Sequence, residues 1–141
     1  MNNLVKLVSN HFKSNKSLEK LIIGQDLITE LKQSNFSKYE FTAGCYNRNR
    51  IHTTDNFEIL LLNWDTDSRT PLHEHPENGC KMLLLEGCLK EKIVNENMTL
   101  YNKLTPGRQS YIDNDLGKHV IMATKKSRSI HIYSPPNFYN K

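Results

Sequence analysis

The predicted fold is organised around residues 72–80, which read Leu-His-Glu-His-Pro-Glu-Asn-Gly-Cys. Residues two apart on a β-strand point to the same face of the sheet. A strand here would therefore present the imidazoles of His73 and His75 on one face and the Glu74 carboxylate on the other. Two imidazoles on one face make half of a metal site, so at least one more ligand must come from another part of the chain.

The chain around this stretch has the pattern of a β-domain. From about Cys45 onwards, short runs rich in Ile, Leu, Tyr and Thr alternate with polar or glycine-containing turns, and no helical period is evident. Many short strands predict a barrel or a sandwich. The predicted strands are residues 45–51, 57–64, 71–75, 81–85, 88–94, 99–101, 109–112, 119–122 and 129–133.

Two short helices are predicted within residues 1–40. Apolar residues recur at helical intervals in the opening segment, and a polar break follows at residues 13–16. Ser17 can cap a second helix, which Gly24 interrupts before the apolar stripe resumes. The apolar residues assigned to this second helix are Leu18, Leu21, Ile22, Leu27, Ile28 and Leu31. We expect both helices to cover one side of the β-domain.

Length and composition limit the classes of protein to which this chain can belong. The 141 residues fit a single domain, 1–141, with helices in residues 1–40 and a barrel in residues 45–136. The net charge of +4 is spread along the sequence and gives little support for nucleic-acid binding. Three cysteines without a pairing motif and the lack of a leader pattern predict a reducing, cytoplasmic location, and no apolar run is long enough to span a membrane. We expect a monomer that binds neither nucleic acid nor membrane.

The third metal ligand is predicted to be His119. It follows an Asp-Asn-Asp-Leu-Gly turn at the start of a strand, where a later strand can come alongside residues 71–75. His11 lies in the first predicted helix and His52 in a polar turn, so both are interpreted as ordinary surface residues. Cys45 and Cys88 are interpreted as core residues.

Other polar residues share strand faces. Tyr46 and Arg48 are two apart, and so are Ser129, His131 and Tyr133. In the second case two isoleucines alternate with the polar residues and face a core on the other side. Polar groups that point into a barrel need a structural or functional reason, because burying them without hydrogen bonds is costly.

With these residues, the sequence resembles cysteine dioxygenase, in the thiol dioxygenase branch of the cupins. The resemblance covers residues 45–136 and is clearest in residues 45–49, 57–64, 72–91, 111–119 and 129–136. An ordinary cupin pattern has a glutamate ligand where this chain has Cys80, which is followed after six intervening residues by Gly87. A cysteine at that place is similar to cysteine dioxygenase in particular. The resemblance implies a cupin-like (jelly-roll) β-barrel.

The resemblance also implies roles for individual residues. His73, His75 and His119 would bind Fe(II). Arg48 would bind the substrate carboxylate and Tyr46 would shape that subsite. Cys80 and Tyr133 would be partners in a thioether crosslink, with Ser129 and His131 orienting the Tyr133 hydroxyl.

Elementary chemistry agrees with these implied roles. Three neutral imidazoles leave the charge of the metal uncompensated, which suits an anionic thiolate ligand. A guanidinium matches a carboxylate in planar, two-bond geometry. The function that the resemblance implies is addition of dioxygen to the thiol of L-cysteine, which would give cysteine sulfinic acid.

Several alternatives stay open at the level of sequence. Another small thiol, 3-mercaptopropionate or cysteamine, could be the substrate, and a catalytically silent cupin could hold a metal without oxidising anything. Arg48 could form a surface salt bridge, and Cys80 could be a buried thiol without a crosslink. Longer members of the family continue beyond the segment that matches residues 134–136. We expect this difference to open the pocket, to change substrate preference, or to be compensated by a partner chain.

Overall fold

A computed structural model describes residues 1–140. It contains two helices, α1 (Asn2–His11) and α2 (Gln25–Gln33), and a 3₁₀ turn at Phe138–Asn140. The eight strands are β1 (Tyr46–Thr53), β2 (Glu58–Trp64), β3 (Cys80–Glu86), β4 (Leu89–Val94), β5 (Thr99–Leu104), β6 (Gln109–Ile112), β7 (Lys118–Ala123) and β8 (Ser127–Tyr133). Within these residues no helix is long and apolar enough to cross a membrane.

The strands form two sheets that face each other. Five strands pair in the order β1-β2-β8-β3-β6 and three pair in the order β5-β4-β7, and all the pairs are antiparallel. Residues from both sheets make one buried cluster between them, which includes Leu62, Trp64, Met82, Leu89 and Ile121. The fold is therefore mainly β, as the strand pattern predicts.

The helices cover the outer face of the five-stranded sheet. Along β8, Ile130 and Ile132 face outward and pack in one apolar cluster with residues of α1 and α2 such as Leu4 and Leu31. Because the inner face is also enclosed, every residue of β2 is buried. The predicted position of the helices is confirmed.

The prediction of a helix over residues 17–22 is wrong. Leu18 donates its backbone N–H to the Asn78 carbonyl at 3.1 Å, and the Ile23 N–H is bound by the Gln109 side chain at 3.1 Å. These long-range bonds use the backbone in a non-helical form that buries Leu21 and Ile23, whereas Ile22 is 76% exposed. Gly24 precedes α2 as its N-cap instead of interrupting a longer helix.

The prediction of a strand over residues 71–75 is also wrong. His73 forms one isolated bridge with His119, through N–H···O bonds of 3.1 and 3.2 Å in the two directions. The backbone of His75 is instead held by the Asn114 side chain, which accepts from its N–H at 2.8 Å and donates to its carbonyl at 2.9 Å. Prolines at positions 71 and 76 cannot donate to a ladder, which limits regular pairing here.

Two smaller predictions are corrected as well. His52 lies in β1 opposite Ile59 and not in a turn. Cys45 is exposed and not in the core, whereas Cys88 is buried as expected.

Candidate metal centre and substrate pocket

Three histidines from different parts of the chain meet at one end of the barrel. His119 is carried by β7, His73 by the bridge to that strand, and His75 by the loop before β3. One ring nitrogen from each lies within 4.8 Å of the others. His75 and His119 are buried and His73 is half-buried.

Hydrogen bonds to the Nδ1 atoms fix the protonation of two of these rings. His73 Nδ1 lies 2.8 Å from the Pro71 carbonyl oxygen, and His119 Nδ1 lies 2.7 Å from Glu91 Oε2. Both partners only accept hydrogen bonds, so each Nδ1 carries a proton. Burial, and then the charge on His119, lower the pKa of His73 to about 4, so His73 is neutral near pH 7.

The Nε2 atoms of His73 and His119 lie next to each other. His73 Nε2 and His119 Nε2 are 2.9 Å apart. Two nitrogen lone pairs at this distance repel unless a proton or a metal ion lies between them. An ion held by both nitrogens would remove this repulsion, and imidazole nitrogens are common ligands of divalent transition metals.

Within residues 1–140, the ring nitrogens of His75 also lack a binding partner. The side chain is fully buried, and neither ring nitrogen has a hydrogen-bond partner among the described residues. Burial, then His119 and His73, lower the pKa of His75 to about 3; the Gly117 backbone acts in the opposite direction but is not aligned for a hydrogen bond. An unsatisfied buried polar group costs about 1–3 kcal/mol, which metal ligation would remove. The three histidines thus fit a divalent metal ion.

Glu91 contacts His119 in the candidate metal centre, and the sequence reasoning missed it. It is buried in β4, where it accepts from His119, from Ser110 at 2.8 Å and from Asn102 at 3.2 Å. Burial alone would raise the pKa of this carboxyl, but these hydrogen bonds and the His119 charge lower the pKa overall. Glu91 alternates with Leu89 and Ile93 on the inward face of β4, a signal that the sequence did contain.

A cavity of about 250 Å³ lies between the sheets beside the histidines. Its lining residues are Tyr46, Arg48, Leu62, Trp64, Thr70, Pro71, His73, His119, Ile121, His131, Tyr133 and Tyr139. Drug-sized ligands usually need about 300–1,000 Å³, so this cavity suits a smaller molecule.

Arg48 is the only cationic Lys or Arg side chain among the described lining residues. Within residues 1–140 its guanidinium forms no hydrogen bond or ion pair and contacts only aromatic faces, 5.6 Å from the Tyr133 centroid and 4.7 Å from the Tyr139 centroid. Its N–H donors are therefore free for an anion in the cavity. Tyr46 lies beside it on β1 and stacks on Trp64 at 5.0 Å.

The inward face of β8 carries a chain of hydrogen bonds. Trp64 Nε1 donates to Ser129 Oγ at 2.9 Å, Ser129 Oγ lies 2.7 Å from His131 Nε2, and His131 Nδ1 lies 3.1 Å from the Tyr133 hydroxyl. Burial lowers the pKa of His131 well below its usual value, which keeps the ring neutral. If Ser129 donates to Nε2, the Nδ1 proton goes to the Tyr133 oxygen and the phenol proton is free to donate elsewhere.

Cys80 and Tyr133 are direct cross-strand partners in the pairing of β3 with β8. Both side chains are buried in the cluster between the sheets. Burial first, and then the Glu91 charge, raise the pKa of the Cys80 thiol, while the neighbouring Tyr133 side chain acts in the opposite direction. The two side chains are thus neighbours, and both are protonated at neutral pH.

A comparison with models of known protein families identifies the family of this chain. A family model described as cysteine dioxygenase type I matches residues 19–140. The chain belongs to the cysteine dioxygenase type I family.

Curated relatives in this family are cysteine dioxygenase type 1 proteins. The zebrafish (Danio rerio) protein is 29% identical over 119 residues, which cover 75% of this chain and 57% of the relative. The cattle (Bos taurus) and human proteins are each 26% identical over 142 positions, which cover 84% of this chain and 71% of the relative. The chain therefore spans a little over half of the zebrafish protein and under three quarters of the others.

Solved structures show the same fold. An RmlC-like cupin from Shewanella frigidimarina has a TM-score of 0.62 at 14% identity and covers 77% of this chain and 94% of its own. A cupin superfamily protein from Desulfitobacterium hafniense has a TM-score of 0.59 at 15% identity, with 70% and 84% covered. The fold of this family member is thus a cupin fold.

The sequence-predicted residues of this cysteine dioxygenase family member are distributed in two layers. Six of them line the cavity (Tyr46, Arg48, His73, His119, His131 and Tyr133), whereas His75, Cys80 and Ser129 are buried but do not line it. His11 binds the Ser17 carbonyl at 2.7 Å in the N-terminal region and is not part of the histidine cluster. Besides Glu91, sequence reasoning missed Tyr139, which follows the Pro-Pro pair without any periodic signal.

Proposed function

We propose that this protein is a thiol dioxygenase that uses iron(II) to add both atoms of dioxygen to the sulfur of L-cysteine, giving cysteine sulfinic acid. One observation carries the proposal. The Nε2 atoms of His73 and His119 lie 2.9 Å apart, and both residues line the same small cavity as the unpaired guanidinium of Arg48. A site for a metal and a site for a carboxylate thus lie within the reach of one small molecule. The relatives named cysteine dioxygenase type 1 support this proposal.

His73, His75 and His119 would hold the metal. Bound iron(II) would supply a positive centre at which the thiolate and dioxygen can react with each other. Glu91 accepts from Nδ1 of His119, and the Pro71 carbonyl accepts from Nδ1 of His73, so each ring would have Nε2 available for the metal.

Arg48 would orient the substrate. A guanidinium with free in-plane donors can bind a carboxylate through two parallel hydrogen bonds. The rings of Tyr133 and Tyr139 pack near the guanidinium, and no described residue accepts a hydrogen bond from its donors. Tyr46, held by Trp64, would form the adjacent wall of this subsite.

Tyr133, with His131 and Ser129 behind it, would supply a proton donor beside the reacting sulfur. Burial keeps the pKa of Tyr133 well above its usual value, so the phenol stays protonated. The hydrogen-bond chain from Trp64 restrains the hydroxyl, which lowers the entropic cost of placing it. A thioether between Cys80 and Tyr133 would restrain the ring further.

A second substrate, 3-mercaptopropionate, is favoured by one feature of the cavity. None of the described lining residues is acidic, so the wall offers no counter-ion for the ammonium of cysteine. The amine of cysteine would then have only the metal as a partner. 3-Mercaptopropionate has no amine, so it would lose no interaction with the cavity wall. Cysteamine would leave Arg48 without an anion and is disfavoured.

Oxygen consumption tests the activity. The protein is loaded with iron(II) without oxygen and then mixed with oxygenated cysteine, 3-mercaptopropionate or cysteamine, and the products are identified by mass spectrometry. We expect sulfinate formation with cysteine. Iron binding without oxygen consumption for any of the three thiols would instead indicate a catalytically silent metal-binding cupin.

His119→Ala tests the metal ligand. Loss of one of three ligands, together with the partner of Glu91, should abolish stoichiometric iron binding, as measured by metal analysis after gel filtration. His52→Ala in β1 is the matched control and should bind iron normally, because His52 is outside the histidine cluster. Full iron content in His119→Ala would contradict the assignment.

Arg48→Ala tests the carboxylate subsite. We expect iron binding to be retained and kcat/KM for cysteine to fall roughly 100-fold, which corresponds to about 2.7 kcal/mol for a lost bidentate pair. The exposed Arg108, in the turn before β6, provides the control variant Arg108→Ala. Equal kcat/KM in Arg48→Ala and the unmodified protein would remove Arg48 from the substrate site.

The crosslink has a direct test by intact mass. Formation of a thioether removes two hydrogen atoms, so the crosslinked chain should be lighter by that amount than the sequence requires, and Cys80→Ser should restore the full mass. Cys88→Ser, at the other buried cysteine, should leave the deficit unchanged. An undiminished mass after repeated turnover would show that Cys80 stays a thiol.

A further inference from the structure

Tyr139 lines the cavity beside Arg48. Its ring lies 4.7 Å from the Arg48 guanidinium carbon and makes edge contacts with Tyr133 at 5.1 Å and with His73 at 5.7 Å between centroids. It therefore contacts a proposed metal ligand, the proposed carboxylate-binding residue and the proposed proton donor at once. It is partly exposed, so it stands between these groups and solvent.

The segment that carries Tyr139 is fixed at several points. The Tyr139 hydroxyl donates to the Glu74 carbonyl oxygen at 2.7 Å, and Glu74 lies between His73 and His75. Arg50 Nη1 donates to the Asn137 side-chain oxygen at 2.6 Å. Asn137 has a φ of +68°, a left-handed conformation that asparagine tolerates better than most residues. The turn is thus held from β1 on one side and from the histidine loop on the other.

We propose that Tyr139 is a positioning residue that caps the cavity and holds Arg48 in the orientation needed to bind a substrate carboxylate. This inference rests on the proposed function, because it concerns how the same cavity recognises a thiol acid. The face of the Tyr139 ring lies 4.7 Å from the guanidinium carbon, and the N–H donors of Arg48 have no hydrogen-bond partner among the described residues. A guanidinium held in this way loses less side-chain freedom when a carboxylate binds.

The hydroxyl of Tyr139 has a separate role in this arrangement. Its bond to the Glu74 carbonyl links the cap to the loop that carries His73 and His75. The ring sets the orientation of Arg48, and the hydroxyl sets the distance between the cap and the proposed metal ligands. Phenylalanine would keep the first contact and lose the second.

Three variants separate these contributions. Tyr139→Ala removes the cap, Tyr139→Phe removes only the tie to Glu74, and Tyr101→Ala is the matched control, since Tyr101 is 74% exposed on β5. For Tyr139→Ala we expect the KM for cysteine and for 3-mercaptopropionate to rise roughly tenfold, with kcat changed less than about threefold and iron affinity unchanged. Tyr139→Phe should recover most of the KM, and Tyr101→Ala should behave as the unmodified protein.

A chemical probe tests the cap without enzyme activity. Phenylglyoxal modifies accessible arginine side chains, and peptide mass spectrometry gives the rate at Arg48 in the metal-free protein. We expect the rate at Arg48 to rise several-fold in Tyr139→Ala and to stay low in Tyr139→Phe and Tyr101→Ala. This result would support the cap even if the unmodified protein oxidises no thiol, so failure of the proposed function is distinguishable from failure of this inference.

Two outcomes would overturn the proposal. An unchanged modification rate at Arg48 together with an unchanged KM in Tyr139→Ala would show that the ring does not hold the guanidinium. Loss of iron binding in Tyr139→Ala would show that the residue supports the metal loop structurally and does not position Arg48. Asn137→Gly tests the anchor, because glycine keeps the left-handed φ and removes only the Arg50 contact; we expect its KM to rise by a factor of about three.

Discussion

Glu91 determines how His119 can bind an ion. Its Oε2 accepts the Nδ1 proton of His119 at 2.7 Å, while Oε1 accepts from Ser110 and Asn102. Glu91→Gln removes the charge and turns an N–H₂ group towards side chains that donate. We expect iron(II) affinity to fall roughly 10- to 100-fold, the usual cost of losing a carboxylate behind a histidine ligand. Anaerobic competition with a metal chelator measures this change.

Glu86 provides the control for that measurement. It ends β3, its side chain is largely exposed, and it pairs with Arg128 at 3.3 Å. Glu86→Gln has the same change of charge and should leave iron affinity as it is. Equal affinities in the two variants would mean that His119 does not depend on Glu91.

Single residues were predictable where the two-residue period of a strand applied. The alternation of Ser129, His131 and Tyr133 with isoleucines is what the structure shows along β8. Glu91 shows the same alternation, because it lies between two inward-facing apolar residues of β4. The other face of this strand carries lysines, however, so the sequence most simply predicts a solvent-exposed strand. The position of Tyr139 depends on contacts with distant strands, for which a local pattern gives no information.

The loop before β3 is an element held by specific contacts instead of a ladder. Gly79 lies one residue before Cys80 with a φ of +89°, and a Cβ there would lie 2.5 Å from the Tyr111 ring. Gly79→Ala should therefore lower the free energy of unfolding by about 1–3 kcal/mol more than backbone strain alone, and displace the loop that carries His75. Urea denaturation measures the first effect, and iron affinity the second.

Gly107→Ala isolates the steric part of that effect. Gly107 has a similar φ of +92°, but an added Cβ would have no heavy atom within 4 Å. Both variants carry the cost of placing alanine in a left-handed conformation. If the two variants lose the same stability, the contact with Tyr111 does not restrict this loop.

Elements were mispredicted where distant side chains take the place of local hydrogen bonds. Residues 71–75 alternate like a strand, yet Asn114 binds the His75 backbone. Residues 17–22 have helical spacing, yet the Asn78 carbonyl binds the Leu18 backbone and the Gln109 side chain binds the backbone of Ile23, the next residue after this segment. Both patterns are present in the sequence, but hydrogen bonds from residues far away in the chain override them.

At the scale of the whole molecule, the sequence indicated the cupin barrel and the covering helices but not the order of the strands. In the five-stranded sheet, β2 pairs with β8 and β8 with β3, so most partners are far apart in the chain. This order brings Tyr133 beside Cys80 and the β8 hydrogen-bond chain beside Trp64. The same sheet binds the helices on its outer face, and we propose that helices and barrel unfold as one unit.

The single tryptophan makes this proposal testable. Trp64 is fully buried inside the barrel, whereas Leu31 of α2 is fully buried on the opposite side of the sheet. Leu31→Ala should destabilise the protein by about 2–5 kcal/mol, and in a cooperative unit the Trp64 fluorescence transition in urea shifts by that full amount. Ile22→Ala, at a 76% exposed position, should shift the transition by less than about 0.5 kcal/mol. If the Trp64 transition is the same in Leu31→Ala and the unmodified protein, the helices fold independently of the sheet, and the metal centre does not depend on them.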